Sequence, residues 1–161
     1  MKKLLVVVAI LLLVSGCATV PMGSDVETQQ AKEVQAPSGD NSGIYLYRKD
    51  TVFGAALTKS IWIDGECIGD SAKGVFFYHE VEGDKDHTIS TQSEFSPNDL
   101  IIHTKAGELY FVEQFIKMGV FVGGAGLEQK DPETGRKDIS ELKLAQKGEC
   151  AKPADNTGNV E

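Results

Sequence analysis

From residue 44 to about residue 147 the apolar positions recur every second residue, not every 3.6. That alternation constrains the fold more than any other feature, because only a strand sends successive side chains to opposite faces. The segment "IYLYRK" opens the region with β-forming residues. In "SIWIDGE", Ile61 and Ile63 alternate with Trp62 and Asp64 before a turn at "DG", and "CIGD" resumes the pattern up to a break at Gly69. "GVFFYHEVEG" places Val75, Phe77 and His79 on one face and Phe76, Tyr78 and Glu80 on the other. "HTISTQSEF" is a more polar strand, expected near a sheet edge. "DLIIHTKAGELYFVEQFIKMG" reads as two strands joined by a turn at "KAGE". The second of these is apolar on both faces, the mark of a central strand.

Turn signals every 8–12 residues or so are the spacing of a sandwich or a small barrel. The expected fold is all-β, a small antiparallel β-sandwich with room for one short C-terminal helix. The exit from the domain allows two readings. A strand is expected at 126–130, and a short helix or strand at 139–144. In the helical version Asp138 is the N-cap.

The front of the chain follows a different rule. Met1, Lys2 and Lys3 precede an unbroken apolar run at 4–14. A spanning helix needs roughly 20 such residues, so the run matches the apolar core of a secretory signal instead. Ser15, Gly16 and Cys17 follow, and "VSGC" resembles the bacterial lipobox. The resemblance implies removal of residues 1–16, with Cys17 becoming an N-palmitoyl, S-diacylglycerol cysteine. Acyl chains contribute about 0.8 kcal/mol per buried CH₂, so three chains hold a protein on a membrane durably. Ala18, where Gram-negative lipoproteins retained in the inner membrane usually carry Asp, resembles an outer-membrane sorting signal, which implies an envelope location on the periplasmic side.

Residues 18–43 contain no aromatic residue and few aliphatics. A segment so poor in apolar surface cannot offset its ordering entropy, and 17–43 is expected to be a flexible tether spanning roughly 25–30 Å as a coil. Within it "DVETQQAKEVQ" has only marginal helical character. The domain is expected over 44–147, and 148–161 is expected to be a loose tail. The formal charge is −8 with 24 acids, and losing Lys2 and Lys3 takes 16 basic residues to 14, or −10. An anionic protein gains no counterion release on DNA or RNA, which argues against a nucleic-acid partner. Anionic head groups would repel it, so the membrane attachment expected here is the lipid alone.

"GIYLYRKD", "SIWIDGECIGD", "YHEVEGDKDHTI" and "LIIHTKAGELYFVEQ" follow, in that order, the bacterial lipoprotein family known as domain of unknown function 2846. The order also resembles the broader PEGA-type surface module, although "EGDKDHT" is longer and more acidic than that module's usual Pro/Gly turn. The resemblance covers most of residues 43–130. It implies a small β-sandwich in a membrane-tethered accessory role, and it brings no catalytic residue and no ligand.

With Cys17 assigned to lipid, Cys67 and Cys150 remain. An oxidising envelope invites a disulfide between them, the rival reading being two separate thiols. No C-x-x-C is present, which argues against a redox site. His79, His87 and His103 lack metal-ligand spacing, so no metal and no cofactor are expected. The acids sit in solvated turns, and neither G-x-S-x-G nor a calcium-loop pattern occurs. "GVFVGGAG" contributes Gly119, Val120, Phe121, Gly123, Gly124 and Gly126. It is either an exposed apolar interaction loop or, more simply, a place where backbones approach closely. Tyr45, Tyr47, Trp62, Phe76 and Tyr78 are candidates for an aromatic binding face, but alternation should bury half of them. The function expected is a non-catalytic binding or scaffolding module on the envelope, with an envelope protein as candidate partner. The alternative is an envelope hydrolase or carbohydrate-active enzyme whose site is assembled from distant residues.

Overall fold

Strand β1 (Asn41–Arg48) is buried at every position from Ser42 to Arg48. Its Ile44 and Leu46 point into one hydrophobic cluster and its Tyr45 and Tyr47 into another. A strand with apolar residues on both faces must be covered on both sides. In the computed structural model, which describes residues 19–33, 36–93, 98–119 and 123–151, it is.

The strands after β1 are β2 (Lys59–Ile63), β3 (Glu66–Ser71), β4 (Val75–Glu82), β5 (Lys85–Thr91), β6 (Asn98–Thr104), β7 (Leu109–Lys117), β8 (Gly124–Lys130) and β9 (Lys143–Leu144). One sheet has the order β8-β7-β1-β4-β9 and the other β3-β2-β5-β6. The chain changes sheet at each of the connections β1–β2, β3–β4, β4–β5 and β6–β7, which closes a sandwich over Ile44, Leu46, Ile61, Ile89, Phe77 and Val112. Asp64 and Gly65 both adopt positive φ (50° and 81°), as a tight β2–β3 hairpin at "DG" requires. The fold is the β-sandwich expected from the alternation, with two refinements. The β1–β7 and β4–β9 pairs are parallel, so the first sheet is mixed. Strand β5 pairs with both β2 and β6 and so lies inside its sheet, not at an edge; its polar residues mark an outward face, while His87, Ile89 and Thr91 are buried.

The outer face of β1 is covered by two helices. Helix α1 (Asp25–Lys32) starts at a capping box in which Ser24 and Glu27 satisfy each other's backbone N–H groups. Helix α2 (Pro132–Ser140) starts at Asp131, whose carboxylate accepts from the Glu133 and Thr134 amides, with Pro132 in the first turn. The helix therefore lies upstream of the 139–144 position expected, and Asp138 is in its last turn, not at its N-cap. "DP" was the start signal and the alternation hid it. Beneath these helices Tyr45, Tyr47, Phe76, Phe111, Ile139 and Leu142 form the second cluster, with the Tyr45 and Phe111 rings stacked at 5.0 Å.

The N-terminal segment is not a free leash over residues 19–33. Gly23 N donates to Leu144 O at 2.9 Å, Gln146 N donates to Pro21 O at 2.9 Å, and Met22 forms a bridge with Ala145. Thr28 is buried, its Oγ1 accepting from Leu144 N, and the Tyr45 hydroxyl donates to Ala31 O. Composition underrates this segment because hydrogen bonds to β9 and cover for an exposed aromatic face, rather than apolar content, hold it. The start of the expected tail is also attached. Gly148 N donates to Ile68 O, Ala151 N donates to Ser60 Oγ, and Cys67 is bonded to Cys150 with Cα atoms 5.8 Å apart.

Two outcomes test this packing. Gly135 in α2 has no room for a Cβ, which would strike the Phe111 ring. Helix propensity favours Gly135→Ala by about 1 kcal/mol, but overpacking at this site should reverse the sign and cost about 1–3 kcal/mol net in a urea titration. Removing the Cys67–Cys150 bridge, 83 residues apart in sequence, with a double Ser variant should cost about 4 kcal/mol by the same measurement, mainly through the unfolded state.

Candidate functional site

Because β1 and β7 run parallel, their C-terminal ends emerge on the same side of the sandwich. The loop after β1 (residues 49–58), the connection between β3 and β4 (residues 72–74) and the end of β7 gather there. The organising group is Arg48, which is 2% exposed. Its guanidinium donates to Leu57 O (2.8 Å), Gly54 O and Ser71 O (3.4 Å). Among the described residues no carboxylate pairs with it, so backbone carbonyl dipoles carry the whole desolvated charge. Gly54, with φ +72°, closes the loop against β7: a Cβ there would lie 2.7 Å from Ile116 Cγ1. Gln114, 1% exposed, reaches across the sandwich and donates to Thr91 Oγ1 (2.7 Å) and Lys59 O (3.2 Å).

This braced loop holds its apolar side chains out in solvent. Val52 is 93% exposed and Phe53 55%, and Met118, just beyond β7, is 84% exposed. Thr19, Val20 and Met22 share a depression of about 290 Å³ with Asp50 of the same loop and with Lys73, Gly74 and Lys143. The N-terminal end of the described chain and the exposed apolar loop thus occupy one end of the molecule.

The residues singled out in the sequence are dispersed. Cys17, Val120 and Phe121 lie outside the described residues. Gly119 is exposed next to Met118. Gly123, Gly124 and Gly126 serve close packing, Gly126 most plainly, since a Cβ there would lie 2.5 Å from the Phe115 ring. His87 is 3% exposed, with Nδ1 2.6 Å from Asp64 Oδ2 and Nε2 2.8 Å from Glu82 O. It ties the "DG" turn to the end of β4. Partial burial of Asp64 raises its pKa, but bonds from His87 and the Thr88 amide outweigh that and leave it below the usual carboxylate value. His103 meets Asp86 at 2.7 Å in solvent, and burial lowers the pKa of His79. The three histidines do not converge, and no group of three metal-ligating side chains occurs among the described residues. Of the aromatic candidates, Tyr45, Tyr47, Phe76 and Tyr78 pack beneath the helices, and Trp62 is 7% exposed.

One polar cluster has no signature in the sequence pattern. Lys49 Nζ bridges Glu113 (3.2 Å) and Asp138 (3.0 Å), and Lys130 joins Glu113 (3.4 Å) to Glu128 (2.7 Å). The Tyr47 hydroxyl donates to Asp138 Oδ2 at 2.8 Å. Two lysines thus link three acids in a structural network between the end of β1, β7, β8 and α2. The signal was present only in three dimensions, since residues 49, 113 and 138 are far apart in the chain.

Residues 38–125 match the family described as "Protein of unknown function (DUF2846)". The chain belongs to the DUF2846 family. The matched residues span β1 through β7 and the first positions of β8, so they hold the whole four-stranded sheet, the centre of the other and the braced loop. An uncharacterized protein of Haemophilus influenzae (strain ATCC 51907 / DSM 11121 / KW20 / Rd) is 50% identical over 139 residues, covering 86% of this chain and 82% of that protein. No solved structure matches this DUF2846 chain.

The covered aromatic face makes a pH prediction. Burial raises the Tyr45 pKa to about 12, and burial with a nearby carboxylate raises those of Tyr47 and Tyr78. A hydroxyl held neutral in this way supports the fold fully below its unfolded value near 10 and loses that support as pH rises toward the folded value. Stability should therefore fall as pH rises above 10, and tyrosinate absorbance should appear together with unfolding in an alkaline spectrophotometric titration.

Proposed function

We propose that this DUF2846 protein is an outer-membrane lipoprotein, anchored through Cys17 and facing the periplasm, whose β-sandwich binds or scaffolds an envelope protein without catalysis. The observation that carries this reading is the ordered series of Lys2 and Lys3, the apolar run at 4–14 and "VSGC" ending at Cys17. Ala18 supports the outer-membrane assignment. The residue types that hydrolases use support the non-catalytic part by their engagement elsewhere: His87 braces a turn with Asp64, and Lys49 ties Glu113 to Asp138 in an ion-pair network. The oxidising compartment in this reading suits the Cys67–Cys150 bond.

Metabolic labelling with palmitate, followed by mass spectrometry of the N-terminal peptide, tests the anchor. The expected product begins at Cys17 with three acyl chains. Cys17→Ser should abolish the label and leave an uncleaved or unacylated chain. An unmodified Cys17 thiol in exported wild-type protein overturns the reading.

A further inference from the structure

We propose that the end of the sandwich bearing Val52, Phe53 and Met118 is docked into the bilayer that holds the Cys17 acyl chains. This rests on the lipid anchor proposed above and adds how the folded head sits on the membrane.

The first argument is reach. Cys17 is two residues before Thr19, and two residues extend at most about 7 Å. Thr19 and Val20 already line a depression with Asp50 and Lys73, and Pro21, Met22 and Gly23 are bonded to the β9 segment. An acylated Cys17 therefore has no long tether with which to hold the domain away from the lipid. It brings the end containing residues 49–58 to the bilayer surface.

The second argument is the character of that end. Of the seven large hydrophobic residues exposed among the described residues, Met22, Val52, Phe53, Phe115 and Met118 lie in or beside the segments that meet there. The β1–β2 loop does not present them through looseness. Arg48 fixes its backbone from inside, and Gly54 is pressed on Ile116, so Val52 and Phe53 are held outward by a preformed support. Apolar side chains held in water lose the hydrophobic contribution of burial, and a lipid interface next to the anchor restores it.

The third argument is charge. At this end Lys73 pairs with Asp50 at 3.1 Å, and Lys49 is occupied by Glu113 and Asp138. With residues 1–16 removed the formal net charge is −10, so the protein has no net electrostatic attraction to an anionic surface. Apolar insertion is the contribution left, and it should be insensitive to salt.

The full-length acylated protein is reconstituted in phosphatidylcholine vesicles with and without brominated acyl chains. Tryptophan is placed at Phe53→Trp or at Ile101→Trp, and the wild type, with Trp62 as its one tryptophan, gives the background. Ile101 is 68% exposed on β6 and serves as an exposed position away from the tip. The expected result is that brominated lipid quenches most of the Phe53→Trp emission and leaves Ile101→Trp unchanged, in low and high salt alike. The tryptophan at 53 should report the boundary zone, roughly 5–10 Å deep, that interfacial apolar groups occupy. Far-ultraviolet circular dichroism checks that both variants fold. Mass spectrometry of the same sample separates the possible failures. Acylated Cys17 with no quenching at 53, or equal quenching at 53 and 101, overturns the docking and leaves the anchor standing. An unacylated Cys17 overturns the anchor, and the docking with it.

Discussion

The two-sided burial of β1 is the constraint on which the rest of the structure depends. Ile44 and Leu46 close the sandwich, but Tyr45 and Tyr47 point out of it and carry their own area of apolar surface. A bare sandwich would leave that surface wet. Helices α1 and α2 cover it and supply acceptors for its hydroxyls, Ala31 O for Tyr45 and Asp138 for Tyr47. The buried hydroxyls are satisfied, so the cover adds hydrophobic stabilisation without the cost of unpaired polar groups. The polypeptide on either side of the sandwich is recruited as a third layer.

That recruitment changes what the N-terminal segment does. A polar segment of 26 residues ahead of a folded domain would ordinarily be a spacer. Here α1 is held by Thr28, Ala31 and Lys32, the last donating to Ser140 O. The spacer length is spent on packing, and the head loses the freedom a coil would give it. Arg48 at the end of β1 extends the same logic. Its buried charge organises the loop that follows, so one strand controls both the helical cover and the apolar tip.

The family match over residues 38–125 contains β1 to β7 and the braced loop, while α1, α2, β9 and all but the first two residues of β8 lie outside it. The chain's resemblance to the Haemophilus influenzae protein is wider, extending over 139 residues. In this chain the helical layer, α1 and α2, comes from segments outside the matched residues.

Local pattern decided a good deal. Period-two alternation is a property of neighbouring residues, and it located β1, β2, β4, β7 and the "DG" hairpin. The central position of β7 followed from apolar residues on both its faces. Cysteine arithmetic identified the pair that is bonded. Elements held by distant contacts were not legible in the same way. Helix α1 has too little apolar area to be recognised, and it is stable only against β9 and Tyr45. The inner position of β5 depends on which strands flank it, and the Lys49 cluster depends on three segments converging. Whether a polar segment becomes a leash or a strap is decided by what it can cover, and only the tertiary structure contains the uncovered face.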